Sequence, residues 1–130
     1  MQSLPMDRES LAVLAEYGLG EARLSGCHLR RYEAGEAMVR QDEAMDALLF
    51  VRSGRAKVCI NARNGRHLII CYYISDGVLG DVELLTEAQA MDTVTALSQV
   101  DCVAVPMERN REVLLGCLPF VLRMGQEVSG

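Results

Sequence analysis

The middle of the chain is divided into short apolar segments by turn residues, and this pattern restricts the fold more than any other feature. Between Cys27 and Pro106, segments rich in valine, isoleucine and tyrosine alternate with glycine, asparagine or aspartate, at intervals of about eight to twelve residues. Such spacing is typical of an all-β sandwich or barrel. We expect strands at residues 27–32, 37–40, 47–52, 55–62, 66–74, 78–80, 93–97 and 100–105.

Glycine-containing pairs mark the turns between these strands. Ser53-Gly54 and Asn64-Gly65 each separate two apolar segments and predict two hairpins, and Asn-Gly is the strongest short-range hairpin signal. Ala34-Gly35 and Asp76-Gly77 predict two further turns.

Helical patterns flank the strands on both sides. Before them, one face of a helix is formed by Leu11, Leu14, Ala15 and Gly18. Asp7 or Ser10 can cap the start of this helix, and Gly18 or Gly20 can end it.

The sequence returns to a helical pattern after residue 106, with an apolar face formed by Val113, Leu114 and Cys117. Pro119 suits the first turn of a second helix, which begins Phe120-Val121-Leu122. Apolar residues on such a helix often pack against the same helix of a second subunit. We therefore expect residues 118–124 to begin a dimerisation helix, with a helix folded back on the sandwich as the alternative.

The length of 130 residues fits one domain, in which half of the residues are hydrophobic and can form a core. We divide it into an N-terminal helical segment at 1–26, a β domain at 27–106 and C-terminal helices at 107–130. The net charge of −5 argues against direct contact with nucleic acid, since phosphate binding requires a positive patch. No membrane span or secretory signal is visible, so we expect a cytoplasmic protein without a membrane partner.

The five cysteines, at positions 27, 59, 71, 102 and 117, have neither CxxC nor zinc-finger spacing. In the cytoplasm their thiols stay reduced, so we expect each to be a small buried hydrophobic residue. His28 and His67 are too few and too far apart to indicate a metal site.

Cys59 and Cys71 flank the Asn64-Gly65 turn, which allows a second interpretation, a functional thiol pair. With a two-residue loop, residue 59 faces residue 70 and Cys71 lies on the other face of the sheet. With a three-residue loop, Cys59 and Cys71 are cross-strand neighbours. Both arrangements remain open at this point.

The segment at residues 78–96, here called the cassette, contains the strongest candidate binding site. A strand leads into a glycine, an acid follows, and a helical turn precedes the next strand. Glycine allows a ligand to approach the backbone, free N–H groups of a helical first turn can bind an anion, and the acid can accept from a sugar hydroxyl. The candidate ligand-binding residues of this layout are Gly80, Asp81, Val82 and Glu83.

Four short motifs occur in an order that matches one known family. They are RYEAGEA at residues 31–37, LLFVRSG at 48–54, LGDVELL at 79–85 and AVP at 104–106. Together they resemble the cyclic-nucleotide-binding domain, and within it the sensor domain of the Crp/Fnr bacterial transcription regulators. The third motif is similar to the I-G-E-L-x-L-F of the family's phosphate-binding cassette. The resemblance covers nearly the whole chain and implies a mainly β fold, a β-jelly roll (double-stranded β-helix) flanked by helices.

The cassette departs from the family pattern where the phosphate would bind. The resemblance implies an arginine followed by serine or threonine, but by spacing that position falls on Met91 or Asp92, and no Arg or Lys occurs at residues 68–108. Met91, Asp92 and Thr93 are therefore the further candidate ligand-binding residues that the resemblance implies. Asp81 also stands where the family has glutamate. An uncompensated buried charge costs about 3–5 kcal/mol, or roughly a hundred-fold to several-thousand-fold in affinity. We therefore predict that the chain does not bind cAMP or cGMP, and that its site has decayed or accepts an uncharged or cationic ligand.

Other family ligands and function classes fit less well. Only Cys27 lies in the first 50 residues, which disfavours an iron–sulfur cluster, and His67 is expected to be exposed rather than a haem ligand. A cupin-type enzyme needs several histidines around a metal, and nothing favours the regulatory domain of a kinase or channel. We expect no enzyme activity and no cofactor.

The prediction is therefore a ligand-sensing domain of a Crp/Fnr-like regulator with an unknown small-molecule effector. It would form a homodimer through the C-terminal helix, and bind DNA only through a missing C-terminal domain. The alternatives are a stand-alone jelly-roll small-molecule-binding protein or the regulatory domain of another signalling protein.

The sequence also gives expectations for a pair of arginines and for the aromatic residues of the strands. Arg30-Arg31 are expected on a solvated strand face. Tyr72, Tyr73 and Phe50 are expected in core packing, with an aromatic lining for a ligand as the alternative.

Overall fold

The computed structural model describes residues 1–63 and 67–129 and contains nine strands and four helices in that part of the chain. The strands are β1 (Gln2–Leu4), β2 (His28–Tyr32), β3 (Ala37–Val39), β4 (Ala47–Ser53), β5 (Ala56–Arg63), β6 (His67–Ile74), β7 (Gly77–Leu79), β8 (Thr93–Ala96) and β9 (Val100–Pro106). The helices are α1 (Arg8–Glu16), α2 (Asp81–Thr86), α3 (Met107–Gly116) and α4 (Leu118–Ser129).

The strands form two antiparallel sheets. The first has the order β1-β2-β9-β4-β7 and the second the order β3-β8-β5-β6. The predicted β-jelly roll with flanking helices is confirmed, and each predicted strand is present within a few residues of its expected bounds. The sequence pattern missed β1, which is too short to show alternation and forms because its residues pair with β2, Ser3 opposite Arg30.

The Ser53-Gly54 turn does not form the predicted hairpin. β4 pairs with β7 and β9, whereas β5 pairs with β6 and β8, so this turn carries the chain from one sheet to the other. Gly54 has φ of +96°, and a Cβ atom there would lie 2.2 Å from the carbonyl oxygen of Gln99. Glycine is needed because the crossing chains touch at this point.

The predicted hairpin between β5 and β6 is present as an antiparallel ladder. Its pairs run from Ala56 opposite Ile74 to Arg63 opposite His67, so three residues separate the paired strands. The turn residues themselves, Asn64-Gly65, lie outside the described residues. In this register Cys59 is directly opposite Cys71.

Two cores lie on either side of the first sheet. On β4, alternate side chains enter different cores, with Leu49 and Val51 packed between the sheets and Leu48 and Phe50 packed under the helices. The ring of Phe50 lies 5.2 Å from Tyr17 and 6.4 Å from Phe120, centre to centre. Phe50 is thus a core residue, as expected.

The helices begin and end as the sequence indicates. Of the two possible caps of α1, Asp7 is the one used, since its Oδ1 accepts a hydrogen bond of 2.8 Å from the backbone N–H of Ser10. α4 contains Pro119 in its first turn and buries Phe120 and Met124 against the sheet. Among the described residues, no helix is long and apolar enough to span a membrane.

Gly54 and Gly35 provide a matched test of the crossing point, because both have positive φ but only Gly54 is crowded. We expect Gly35→Ala to lower the free energy of unfolding by about 1–2 kcal/mol through backbone strain alone. Gly54→Ala should lower it by about 3 kcal/mol or more, because its methyl group must displace the backbone at Gln99. Urea unfolding monitored by circular dichroism measures both values, and equal losses would contradict the proposed close contact.

Candidate functional site

The cassette begins where β7 turns sharply into α2. Gly80 takes a left-handed conformation with φ of +101° and is buried, and a Cβ atom there would lie 2.6 Å from Cε of Met107. Glycine was predicted here for the approach of a ligand. The structure gives it another role, which is to let the turn pack on Met107 and the nearby Met45.

Glu83 holds the two ends of the cassette together. Its side chain is buried, with only 7% of the residue exposed, and its Oε1 accepts a hydrogen bond of 3.2 Å from the backbone N–H of Met91. The side chain of Met91 itself is 57% exposed. Met91, one of the two positions at which the phosphate-binding arginine was expected, therefore has its backbone held by a carboxylate and its side chain largely in solvent.

Asp92 is half-buried beside other acids. Burial raises the pKa of Asp92, and the nearby carboxylates of Glu83 and Asp81 raise it further. Burial also raises the pKa of Tyr72, with smaller contributions from Asp92 and Asp81. Asp92 is therefore close to Glu83 and Asp81, and Tyr72 of β6 is close to Asp92 and Asp81, so acidic groups are concentrated at this end of the cassette.

Tyr72 lies near the cassette, although the sequence analysis did not include it among the candidate ligand-binding residues. It lies opposite Val58 on the face of the hairpin that continues the interior of the roll, and it is about half-exposed there. The period-two pattern of β6 puts Ile70 on the same face. The less favoured interpretation of this segment, an aromatic lining for a ligand, fits the position of Tyr72. Tyr73 points to the other face, where its ring lies 5.6 Å from the guanidinium of Arg55.

The remaining candidates do not converge on the cassette carboxylates. Val82 lies on the exposed side of α2. Thr93 supports a loop, because its Oγ1 accepts a hydrogen bond of 3.2 Å from the backbone N–H of Gln41. The structure thus brings together Asp81, Glu83 and Asp92, and gives Gly80 and Thr93 structural roles.

Two arginines of the first sheet, Arg30 and Arg31, form ion pairs with carboxylates. Arg30 donates two hydrogen bonds to Asp46, at 3.2 and 2.6 Å, and Arg31 donates two to Asp101, at 2.9 and 3.1 Å. The expectation of a solvated face is wrong for Arg30, which is only 9% exposed, because its ion pair with Asp46 allows burial. The paired Arg30 also lowers the pKa of Asp46.

Arg40 is the exposed cation that follows β3 in the loop next to the cassette. The loop is hydrogen-bonded to the cassette through the N–H of Asp42 and the carbonyl of Ala90, 2.8 Å apart. Arg40 pairs weakly with Glu43, at 3.9 Å. It is therefore the cation that any test of phosphate binding must include.

Helix α2 also faces the C-terminal helices. A mostly apolar cavity of about 250 Å³ separates them and is lined by residues including Leu84, Leu85, Leu115, Phe120, Val121 and Met124. Arg111 of α3 donates a hydrogen bond to the carbonyl of Leu84 and lies 3.7 Å from a carboxylate oxygen of Glu87. Helix α2 is therefore in direct contact with α3 and faces α4 across this cavity.

The chain matches the family model of the cyclic nucleotide-binding domain over residues 29–116. This chain belongs to the cyclic nucleotide-binding domain family. The matched region runs from β2 through α3, without β1, and therefore includes the cassette and Tyr72. As a member of this family the domain is a regulatory fold, similar to the Crp/Fnr type of regulator.

Two curated relatives illustrate the range of proteins that contain such a domain. The regulatory protein YeiL of Escherichia coli O157:H7 is 25% identical over 96 residues, which cover 74% of this chain and 44% of YeiL. The neuropathy target esterase sws of Drosophila grimshawi is 35% identical over 74 residues, which cover 57% of this chain and 5% of the esterase. The matched stretches thus span less than half of each relative, and one of them is part of an enzyme.

Solved structures share the fold at low sequence identity. The catabolite activator protein of Thermus thermophilus superposes with a TM-score of 0.68 at 15% identity, covering 95% of this chain and 54% of that one. The regulatory subunit of a cAMP-independent protein kinase A from Trypanosoma brucei superposes with a TM-score of 0.66 at 14% identity, covering 92% and 47%. That structure is a triple mutant with cAMP in its A site, and one of the three substitutions introduces an arginine.

The carboxylate cluster predicts a pH-dependent stability. Because the pKa of Asp92 is raised in the folded state, its charge destabilises the fold above that pKa, and the penalty disappears as the pH falls toward the ordinary value of 3.8. Asp92→Asn should therefore raise the free energy of unfolding at pH 7, by about 1 kcal/mol or less because solvent screens this half-exposed group. The gain should shrink toward pH 4.

Asp76→Asn, in an exposed turn, is the control for this measurement. Urea unfolding of both variants at pH 7 and pH 4 is the experiment. A gain for Asp92→Asn that is equal at both pH values, or equal to that of Asp76→Asn, would show that repulsion within the cassette is absent.

Proposed function

We propose that this domain is the ligand-sensing part of a Crp/Fnr-like transcription regulator and that its ligand is neither cAMP nor cGMP. The observation that carries this proposal is the replacement of a cation by carboxylates at the end of the cassette. Met91 and Asp92 occupy the expected position of the phosphate partner, and Asp81 and Glu83 add negative charge beside it. A phosphate would meet repulsion there instead of a charge-assisted hydrogen bond.

The effector we propose is a small uncharged or cationic molecule. The aromatic ring of Tyr72 and the apolar side chain of Ile70 offer contact area, and the cassette carboxylates offer hydrogen-bond acceptors. The domain has no catalytic role in this proposal, because the residues gathered at the cassette include no nucleophile paired with a base. It also needs no cofactor or metal.

The effector would act by shifting a conformational equilibrium. Binding at the cassette favours one position of α2, and α2 contacts α3 through Arg111 and faces α4 across the apolar cavity. In the regulator, α4 would join two subunits, and DNA would be contacted by a further domain. We propose that this regulator acts in the cytoplasm, without a membrane partner. The similarity to YeiL and the fold of the catabolite activator protein support the transcriptional role.

The similarity to the esterase favours one alternative, a regulatory domain within another signalling protein or enzyme. A third candidate is a stand-alone jelly-roll protein that binds a small molecule. In both alternatives the cassette binds the same ligand. They differ in whether α4 acts on another part of a larger protein or on nothing further.

Calorimetric titration with cAMP and cGMP up to about millimolar concentration tests the ligand proposal, since this corresponds to about −4 kcal/mol of binding. We expect no heat from the wild-type domain. Two variants restore the family pattern in its two possible registers, Met91→Arg with Asp92→Ser, and Asp92→Arg before the existing Thr93, each combined with Asp81→Glu. At least one should gain about 100-fold or more in affinity, because a cation replaces the missing partner.

The matched control keeps the shape without the charge, Met91→Gln with Asp92→Ser and Asp81→Glu, and should gain no comparable affinity. Micromolar binding by the wild type would contradict the proposal. Loss of that binding in Arg40→Ala would then identify Arg40 as the substitute cation.

The proposed dimer depends on apolar residues of α4 that face away from the core. Leu118 and Leu122 are 65% and 59% exposed. We expect the wild type to sediment as a dimer, and Leu118→Glu with Leu122→Glu to be monomeric with an unchanged circular dichroism spectrum, since charge is excluded from an apolar interface. Leu11→Glu, at a similarly exposed leucine of α1, is the control. A monomeric wild type would exclude this interface.

A further inference from the structure

The β5–β6 hairpin contains a pair of cysteines joined across the two strands. Cys59 and Cys71 are directly opposite each other, with their Cα atoms 4.2 Å apart, and they form a disulfide bond. The expectation of separate, buried and reduced thiols is therefore wrong for this pair. It failed because it rested on the compartment alone, whereas three residues separate the paired strands and bring the cysteines into register, which is the arrangement that the three-residue alternative described.

The Cys59–Cys71 disulfide is accessible to thiol reagents from the solvent. Cys71 is exposed and lies on β6, the edge strand of the second sheet. Cys102 is fully buried, and burial raises its pKa to about 12. Cys27 is half-buried and burial raises its pKa also. Thiolates react far faster than thiols, so the buried cysteines are the poorer substrates for exchange.

The disulfide is one row away from the candidate site. Thr93, at the end of the cassette, pairs with Cys59, so one row of the sheet runs Thr93–Cys59–Cys71. The next row runs Val94–Val58–Tyr72. Tyr72 is the β6 residue whose pKa is raised by burial and by two carboxylates of the cassette. The disulfide therefore links β6, which carries Tyr72, to β5, which pairs with the cassette residue Thr93.

β6 has little else to hold it in place. Within the described residues it pairs with β5 alone, and Leu68, Ile69 and Ile70 are each more than half-exposed. An edge strand with few buried contacts opens more readily than the core of a sheet. A covalent link to β5 restricts that opening, and its removal restores the freedom of the strand.

We propose that Cys59 and Cys71 form a reversible thiol–disulfide switch that controls how firmly β6 and Tyr72 close the ligand site. The role assigned to the site rests on the proposed sensing function, whereas the thiol chemistry does not. The proposed location supports reversibility, since disulfides of cytoplasmic proteins are usually transient and redox-sensing.

The reaction is exchange with a low-molecular-weight disulfide, RSSR. The Cys71 thiolate attacks one sulfur of RSSR, forms a mixed disulfide and releases one RS⁻. The Cys59 thiolate then attacks the Cys71 sulfur, forms the intramolecular bond and releases the second RS⁻. The two cysteine thiols lose two electrons and two protons in total, and RSSR gains the two electrons. Excess RSH reverses both steps.

Equilibration of the purified domain in glutathione buffers of stepped reduced-to-oxidised ratio tests the switch. After acid quench, denaturation and alkylation, mass spectrometry should count three free thiols at the oxidising end and five at the reducing end. Cys59→Ser and Cys71→Ser should show no such change of two thiols. Cys117→Ser, at a half-buried free cysteine, is the matched control and should retain the transition with one thiol fewer.

Hydrogen exchange of the oxidised and reduced wild type tests the coupling to the site. Peptides from β6 should exchange at least about tenfold faster after reduction, whereas β4 and β9 peptides should not change. The double variant Cys59→Ser/Cys71→Ser should match the reduced wild type under both conditions. The reduced wild type itself provides the comparison if that variant folds poorly.

Two results would overturn the proposal. A bond that never forms, or that persists in excess dithiothreitol, excludes a reversible switch. A bond that cycles without changing β6 exchange excludes control of the site. Neither measurement uses a ligand, so a failure here leaves the sensing proposal intact, and cAMP binding by the wild type would leave the thiol result intact.

Discussion

The structure depends on two central strands that are buried on both faces. β4 and β9 pair along nearly their whole length, and their alternate side chains supply the core between the sheets and the core under the helices. Burial of apolar surface is the main favourable contribution to folding, so both layers are stabilised through this one ladder. Phe50 packs against α1 and α4 from β4, and the jelly roll and its helices therefore behave as one cooperative unit. The remaining strands, including those of the candidate site, are attached to this framework.

The cassette lies where the sheet framework and the helices meet, which is why one short segment can influence both. Gly80 packs on Met107 at the start of α3, and Arg111 on the same helix bonds to the end of α2. The candidate site residues Asp81 and Glu83 are thus each next in sequence to a residue, Gly80 or Leu84, that contacts α3. The acids in this segment carry a cost, since Asp92 is half-buried beside two other carboxylates. Binding of a hydrogen-bond donor or a cation would relieve that repulsion, so the cost itself favours an occupied state.

The second sheet differs from the first in how firmly it is held. β8 and the start of β5 contribute Val94 and Val58 to the core, whereas β6 leaves large apolar side chains in solvent at the edge. Exposed apolar edge strands are unusual because they invite pairing with another chain. In this domain the cross-strand disulfide limits the freedom of that edge. The tyrosine facing the cassette is on the same strand, so the least secured part of the sheet is also part of the candidate site.

The sequence alone determined the approximate positions of the strands, the two candidate caps of α1 and the absence of a cation from the cassette, because alternation, capping residues and composition are local properties. The motifs also identified the family, which the match over residues 29–116 bears out. Only the tertiary structure decided that Ser53-Gly54 joins two sheets, that Gly80 packs on Met107 and that Arg30 is buried with Asp46. It also decided that burial, Glu83 and Asp81 together raise the pKa of Asp92, and that Cys59 faces Cys71. These features depend on which distant segments meet and in which register. A shift of one residue in that register reverses the face of every side chain, and no local pattern records it.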